Sequence, residues 1–89
     1  MSNLHVRITA PKEVIFEGDI KSLSSVNSAG AFDILPEHSK FVTLVEKKPI
    51  LLRFPDKTER KFEFDLAIIH VHEEQIDIYV NPSEAEKII

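Results

Sequence analysis

Cysteine and tryptophan are absent from this 89-residue chain, glycine occurs only twice, and no apolar run exceeds the four residues from Leu66 to Ile69. Each shortage removes a class of protein. Without cysteine there is no disulfide framework, no thiolate zinc site and no thiol nucleophile. The two glycines, Gly18 and Gly30, stand alone, so no glycine-rich loop exists to cradle a phosphate. A bilayer-spanning helix needs roughly 20 apolar residues, so membrane association is expected only through partners. The opening MSNLHVRITA lacks the continuous apolar stretch of a secretory signal, and with cysteine missing the expected compartment is the cytoplasm. An excess of positive charge is missing too. Fifteen acidic residues face 11 basic ones, and the lysines and arginines are scattered, which excludes nucleic acid as an expected partner.

What the chain does have is alternation. Leu4, Val6 and Ile8 alternate with polar residues up to Pro11, as in a half-buried strand. Val14 to Phe16 begin a second strand, stopped at Gly18, and a third segment follows over Ile20 to Ser25 with a mixed face. Asn27 to Gly30 are turn formers and predict a hairpin into Phe32 and Ile34, which are expected in the core. Phe41, Val42, Thr43, Leu44 and Val45 are apolar on both faces, which predicts an interior strand covered on both sides. The polar PDKTER, Pro55 to Arg60, reads as a hairpin tip. Phe62, Phe64 and Leu66 alternate after it, and two further strands carry Ile69 and Val71, then Ile76, Ile78 and Val80. The pattern predicts an all-β protein, a flattened sandwich of about eight to ten short strands. Residues 1–81 are expected to form its one domain. The tail, 82–89, has helix-start chemistry in Pro82 and Ser83 and predicts at most a short helical turn.

Few groupings could carry chemistry. His38 precedes Ser39, but neighbours on a strand point to opposite faces, and no serine sits in a nucleophile elbow. His70 and His72 project from one strand face and, with Glu74, could hold a divalent metal, although the alternation puts both imidazoles on the solvent side. The carboxylates Glu63, Asp65, Glu73 and Glu74 lie beside turns, where they are expected to be solvated. No catalytic residue and no cofactor is expected. On the residues alone, a small metal-binding barrel using His70 and His72 and a β-sandwich interaction module both stay open.

The order of segments is more specific. VRITAPKEVIFEGDIKSL followed by SAGAFDILPEHSKFVTLV resembles the N-terminal domain of the epsilon subunit of F-type ATP synthases, with Gly30, Phe32, Ile34, Leu35, Pro36, His38 and Thr43 in the family's pattern. Asp33 departs from it, where a second glycine is usual, as do Glu37, Ser39 and Asp65-Leu66-Ala67. The resemblance implies a non-catalytic rotor subunit that joins the gamma subunit to the c-ring, peripheral to the membrane. It implies that the loop Ser28, Ala29, Gly30 and Ala31 faces the c-ring, and that His38 and the strand around Phe41 and Thr43 lie toward gamma. Family members commonly add two regulatory C-terminal helices. These 89 residues end at Ile89, and helix-based inhibition of ATP hydrolysis is therefore not expected of them.

Overall fold

The computed structural model describes residues 3–37, 39–81 and 87–88. Among them are ten strands and no helix: β1 (Leu4–Ala10), β2 (Glu13–Ile20), β3 (Ser22–Asn27), β4 (Gly30–Ile34), β5 (Phe41–Val45), β6 (Pro49–Arg53), β7 (Glu59–Glu63), β8 (Ala67–His72), β9 (Gln75–Val80) and β10 (Lys87–Ile88). They form two five-stranded sheets. One, sheet A, has the order β2-β1-β9-β8-β5, and the other, sheet B, the order β10-β7-β6-β3-β4. Every pairing is antiparallel except β1 with β9.

Alternation builds the core between the sheets. Leu4, Val6 and Ile8 of β1, Ile69 and Val71 of β8 and Ile76 and Ile78 of β9 are sealed from solvent on one side, and Leu23, Ile34, Ile50, Leu52 and Phe62 on the other. Each such side chain contributes about 1.5–3 kcal/mol on burial. Ser25 is also buried, but its hydroxyl donates to the Pro49 carbonyl at 2.8 Å. No buried side-chain nitrogen or oxygen among the described residues lacks a partner. At the far edge Phe16 of β2 meets Phe54 and Phe62 at ring-centroid distances of 5.9 and 5.8 Å, and the Arg60 guanidinium lies over Phe62 at 4.8 Å.

Two expectations from the sequence are corrected. β2 does not stop at Gly18 but runs to Ile20, with Gly18, Asp19 and Ile20 paired to Val6, His5 and Leu4, and the missing side chain at Gly18 leaves room for the Phe16 ring, whose Cζ would lie 3.3 Å from an added Cβ. A bulge also interrupts this pairing: Ile8 faces Phe16 and Thr9 faces Val14, leaving Ile15 as the extra residue. Second, β5 is the edge of sheet A, not an interior strand. Its inner face is covered, while Val42 and Leu44 are 64% and 54% exposed. In the tail, Lys87 and Ile88 pair antiparallel with Glu63 and Phe62. The expected helix start at Pro82 and Ser83 lies outside the described residues.

Asp33, the departure in the central segment, has a structural partner. It stands opposite Ser24, whose hydroxyl donates to its carboxylate. Arg53 donates to the Ser24 oxygen at 3.1 Å and to Glu59 at 3.1 Å, so a polar network crosses the outer face of sheet B.

Phe62 is fully buried between Phe16 and Phe64. Phe62→Ala is expected to cost about 3–5 kcal/mol, a large part of the roughly 5–15 kcal/mol stability of a small domain. A urea denaturation midpoint within error of the parent would contradict this.

Candidate functional site

Two surfaces meet along the edge formed by β4 and β5. The first is the β3–β4 hairpin turn. The Asn27 side-chain carbonyl accepts the Ala29 backbone N–H at 2.9 Å, and its amide donates to the Thr43 hydroxyl of β5 at 2.9 Å. One asparagine therefore closes the turn and ties it to the opposite sheet, the local use to which its short amide is suited. Gly30 completes the turn at φ +123°, a conformation that side-chain-bearing residues rarely adopt, and nothing lies within 4 Å of where a Cβ would be. Between this turn and β5 runs an open groove of about 530 Å³, lined by Val26, Asn27, Ser28, Val42, Thr43 and Leu44 among others.

Of the residues singled out from the sequence, Ser28, Ala29, Gly30 and Ala31 thus come together with Thr43. Ser28, Ala29 and Ala31 are exposed and Gly30 is half-buried. Phe41 is half-buried, packed edge-to-face on Phe32 at 5.6 Å, and serves the sandwich rim as much as any surface. His38 lies outside the described residues.

Sequence reasoning does not find the second surface. The register of sheet A lines up Leu44 with Ile68, Ile68 with Tyr79, Tyr79 with Thr9, and Thr9 with Val14. Leu44, Ile68 and Tyr79 are all exposed, so an apolar line crosses β5, β8 and β9 on the outer face with Val42 beside it, and after the half-buried Thr9 of β1 the row ends in exposed Val14 of β2. Exposed apolar groups standing in line rather than singly mark an interaction surface. The signal in the sequence is the second apolar face of β5, which alternation alone assigns to burial within the chain's own fold.

Polar residues fill the neighbouring rows. The next row holds Val42, His70, Asp77, Arg7 and Glu17, and the one beyond it His72, Gln75, His5 and Asp19. His5 Nδ1 is 2.9 Å from Asp19 and Nε2 2.8 Å from Glu17. Hydrogen bonds to Asp19 first and Glu17 second raise its pKa above the ordinary 6.5. His72 Nε2 is 3.1 Å from Asp77 Oδ2, and the Gln75 amide donates to Asp77 Oδ1 at 3.2 Å. His70 and His72 lie side by side with ring centroids 4.8 Å apart. Both are half-buried on the outer face, and the acid that joins them is Asp77 of β9. Glu74, the expected third ligand, is exposed in the β8–β9 turn, where its carbonyl accepts the His5 backbone N–H at 2.9 Å.

Two measurements test this geometry. Asn27→Ala removes both side-chain bonds and is expected to cost about 1–2 kcal/mol and to speed hydrogen exchange at the Ala29 amide; unchanged exchange would refute the anchoring. Because the folded-state pKa of His5 is raised, its contribution is complete below about pH 6.5 and is lost as pH rises through the folded value. An NMR titration should show His5 titrating above its ordinary value and Asp19→Asn lowering it.

The ATP synthase delta/epsilon chain β-sandwich domain model matches residues 3–86. An ATP synthase epsilon chain of Nitratiruptor sp. is 29% identical over 75 residues, covering 84% of this chain and 58% of that protein. Another from Sulfurimonas denitrificans is 29% identical over 85 residues, covering 96% and 65%. The chain therefore spans about three-fifths of the length of these relatives. The fold superposes on a chain of the Euglena gracilis mitochondrial ATP synthase, OSCP/F1/c-ring, with a TM-score of 0.83 at 12% identity, covering 98% of this chain and 52% of that one. It superposes likewise on a chain of the Tetrahymena thermophila mitochondrial ATP synthase central stalk and c-ring, with a TM-score of 0.76 at 13% identity, covering 99% and 66%. With a family match running through nearly its whole length and a two-sheet fold to go with it, the chain belongs to the ATP synthase delta/epsilon chain family, as its β-sandwich domain.

Proposed function

We propose that this chain is a non-catalytic central-stalk subunit of an F-type ATP synthase, holding the gamma subunit to the c-ring. Family membership supports the complex. The observation that carries the role is the apolar line Leu44–Ile68–Tyr79 on the outer face of sheet A, which ends at the exposed edge of β5. A face of this kind is costly to leave in water and suits an apolar partner surface, for which the gamma subunit is the proposed occupant.

The turn Ser28–Ala31 is proposed to meet the polar loops of the c-ring. Its side chains are small, so another backbone can approach closely, and Asn27 holds it to β5 without occupying its outer surface. Thr43, Phe41 and His38 are proposed to lie along the gamma side. Residues 1–81 act as the docking domain in this reading, and the protein sits on the cytoplasmic side, peripheral to the membrane through its partners alone. Its mechanism is mechanical. Torque passes through a sandwich whose two sheets share one packed core, so a load on the turn is carried into sheet A through Thr43 as well as into sheet B through β3.

Charge placed in the centre of such an interface removes a desolvated apolar contact, for which losses of 2 kcal/mol or more, about thirtyfold in affinity, are typical. Leu44→Glu is expected to weaken capture of the gamma subunit by at least that factor, and Ala31→Glu to weaken c-ring association, with circular dichroism unchanged in both. Full gamma binding by folded Leu44→Glu would overturn the assignment of this face.

A further inference from the structure

The sites proposed above leave unused the half-buried triad at the middle of sheet A. We propose that His70, His72 and Asp77 form a binding site for one divalent transition-metal ion of the zinc class. One ligand atom from each residue lies within 4.8 Å of the others. Tetrahedral zinc with ligands at about 2.0–2.1 Å holds its donors roughly 3.3 Å apart. The His72 Nε2 to Asp77 Oδ2 separation, 3.1 Å, is already close to that value. His70 must close by about an ångström or two, a change within the reach of side-chain rotation.

The backbone dictates the convergence. His70 and His72 are two residues apart on β8 and so share a face, and Asp77 of β9 stands directly opposite His70 in the register. The Gln75 amide holds the second carboxylate oxygen at 3.2 Å, the outer-shell support that orients a metal-binding acid. Arg7 is Asp77's neighbour across β1, yet its nearest ion-pair partner is Glu17 at 3.9 Å, so it leaves the Asp77 carboxylate to the histidines. Val42 flanks His70 on the other side and adds no charge.

The ligand set selects the ion. Two imidazoles and one carboxylate suit zinc, nickel, cobalt or copper, whereas magnesium and calcium prefer oxygen donors alone. Three protein ligands leave the remaining position to water or to a donor from outside. His5, which has two acidic neighbours, cannot serve in this way. Its carboxylates sit on opposite ring nitrogens and so do not converge on a single point.

Isothermal titration of the 89-residue chain with zinc chloride in chelator-free buffer, alongside histidine ring NMR, tests the site. The expected result is one zinc per chain, affinity lowered roughly tenfold or more by His70→Ala and by His72→Ala, and no change in His5→Ala. In the parent protein zinc should shift the His70 and His72 ring signals and leave those of His5 in place, a readout that does not depend on any variant folding. Excess magnesium should not displace the zinc. Absence of saturable binding, ring shifts that leave His70 and His72 untouched, or equal loss in His5→Ala would each overturn the proposal. Gamma binding is a separate property of the apolar line, and the Leu44→Glu result stands or falls independently of zinc.

Discussion

Side chains leave a strand alternately to its two faces, and in the sheet β2-β1-β9-β8-β5 this single constraint governs both stability and surface. The inner half of each strand is committed to the core shared with the second sheet. The outer half is then free to carry something else in register across five strands. Because the register of β1, β8 and β9 is locked by the buried Leu4, Val6, Ile8, Ile69, Val71, Ile76 and Ile78, the outer rows are locked as well. A one-residue slip between β8 and β9 would scatter the apolar line Leu44–Ile68–Tyr79 and the His70–Asp77 pair together. Core packing is thus the physical origin of the surface pattern.

The scarcity of glycine has its own structural consequence. Beyond Gly30, four of the described residues with side chains hold positive φ: Glu37, Lys47, Lys57 and Glu73. Such positions cost of the order of 1 kcal/mol or more and persist where the surroundings enforce them. The surroundings can be named for two of them. The Lys57 N–H donates to the Phe54 carbonyl at 2.9 Å in a tip where Asp56 also accepts from Thr58, and the Lys47 N–H donates to the Phe64 carbonyl at 3.1 Å. All four side chains are exposed, so these turns rely on backbone strain and keep their charges in water.

The surface also divides by chemistry. Sheet B closes its outer face with the Asp33–Ser24–Arg53–Glu59 network, which satisfies its own polar groups. Sheet A shows apolar groups near the β5 edge and ionisable ones beyond them. An edge strand bearing exposed Val42 and Leu44 is a liability for an isolated protein.

Much of this is legible in the residues alone. Period-two alternation marks nearly every strand, turn formers mark the β3–β4 and β6–β7 hairpins, and the ordered motif from Val14 to Thr43 points to the family. Local pattern fails where the answer depends on what lies opposite. Whether Val42 and Leu44 face another sheet or water is decided by the strand order, which puts β5 at an edge. Gly18 looks like a strand end until Phe16 is seen lying over it. Asp33 departs from the family motif until Ser24 is placed across from it. His70 and His72 are visible as a pair, but Asp77 joins them only through the β8–β9 register, while the nearer Glu74 lies in the turn. Which residues alternate and where the chain turns can be read directly along the chain, because those are local properties of the backbone. Which faces stay exposed and which distant side chains meet is settled only on folding, because pairing between strands is a long-range choice made by the whole core.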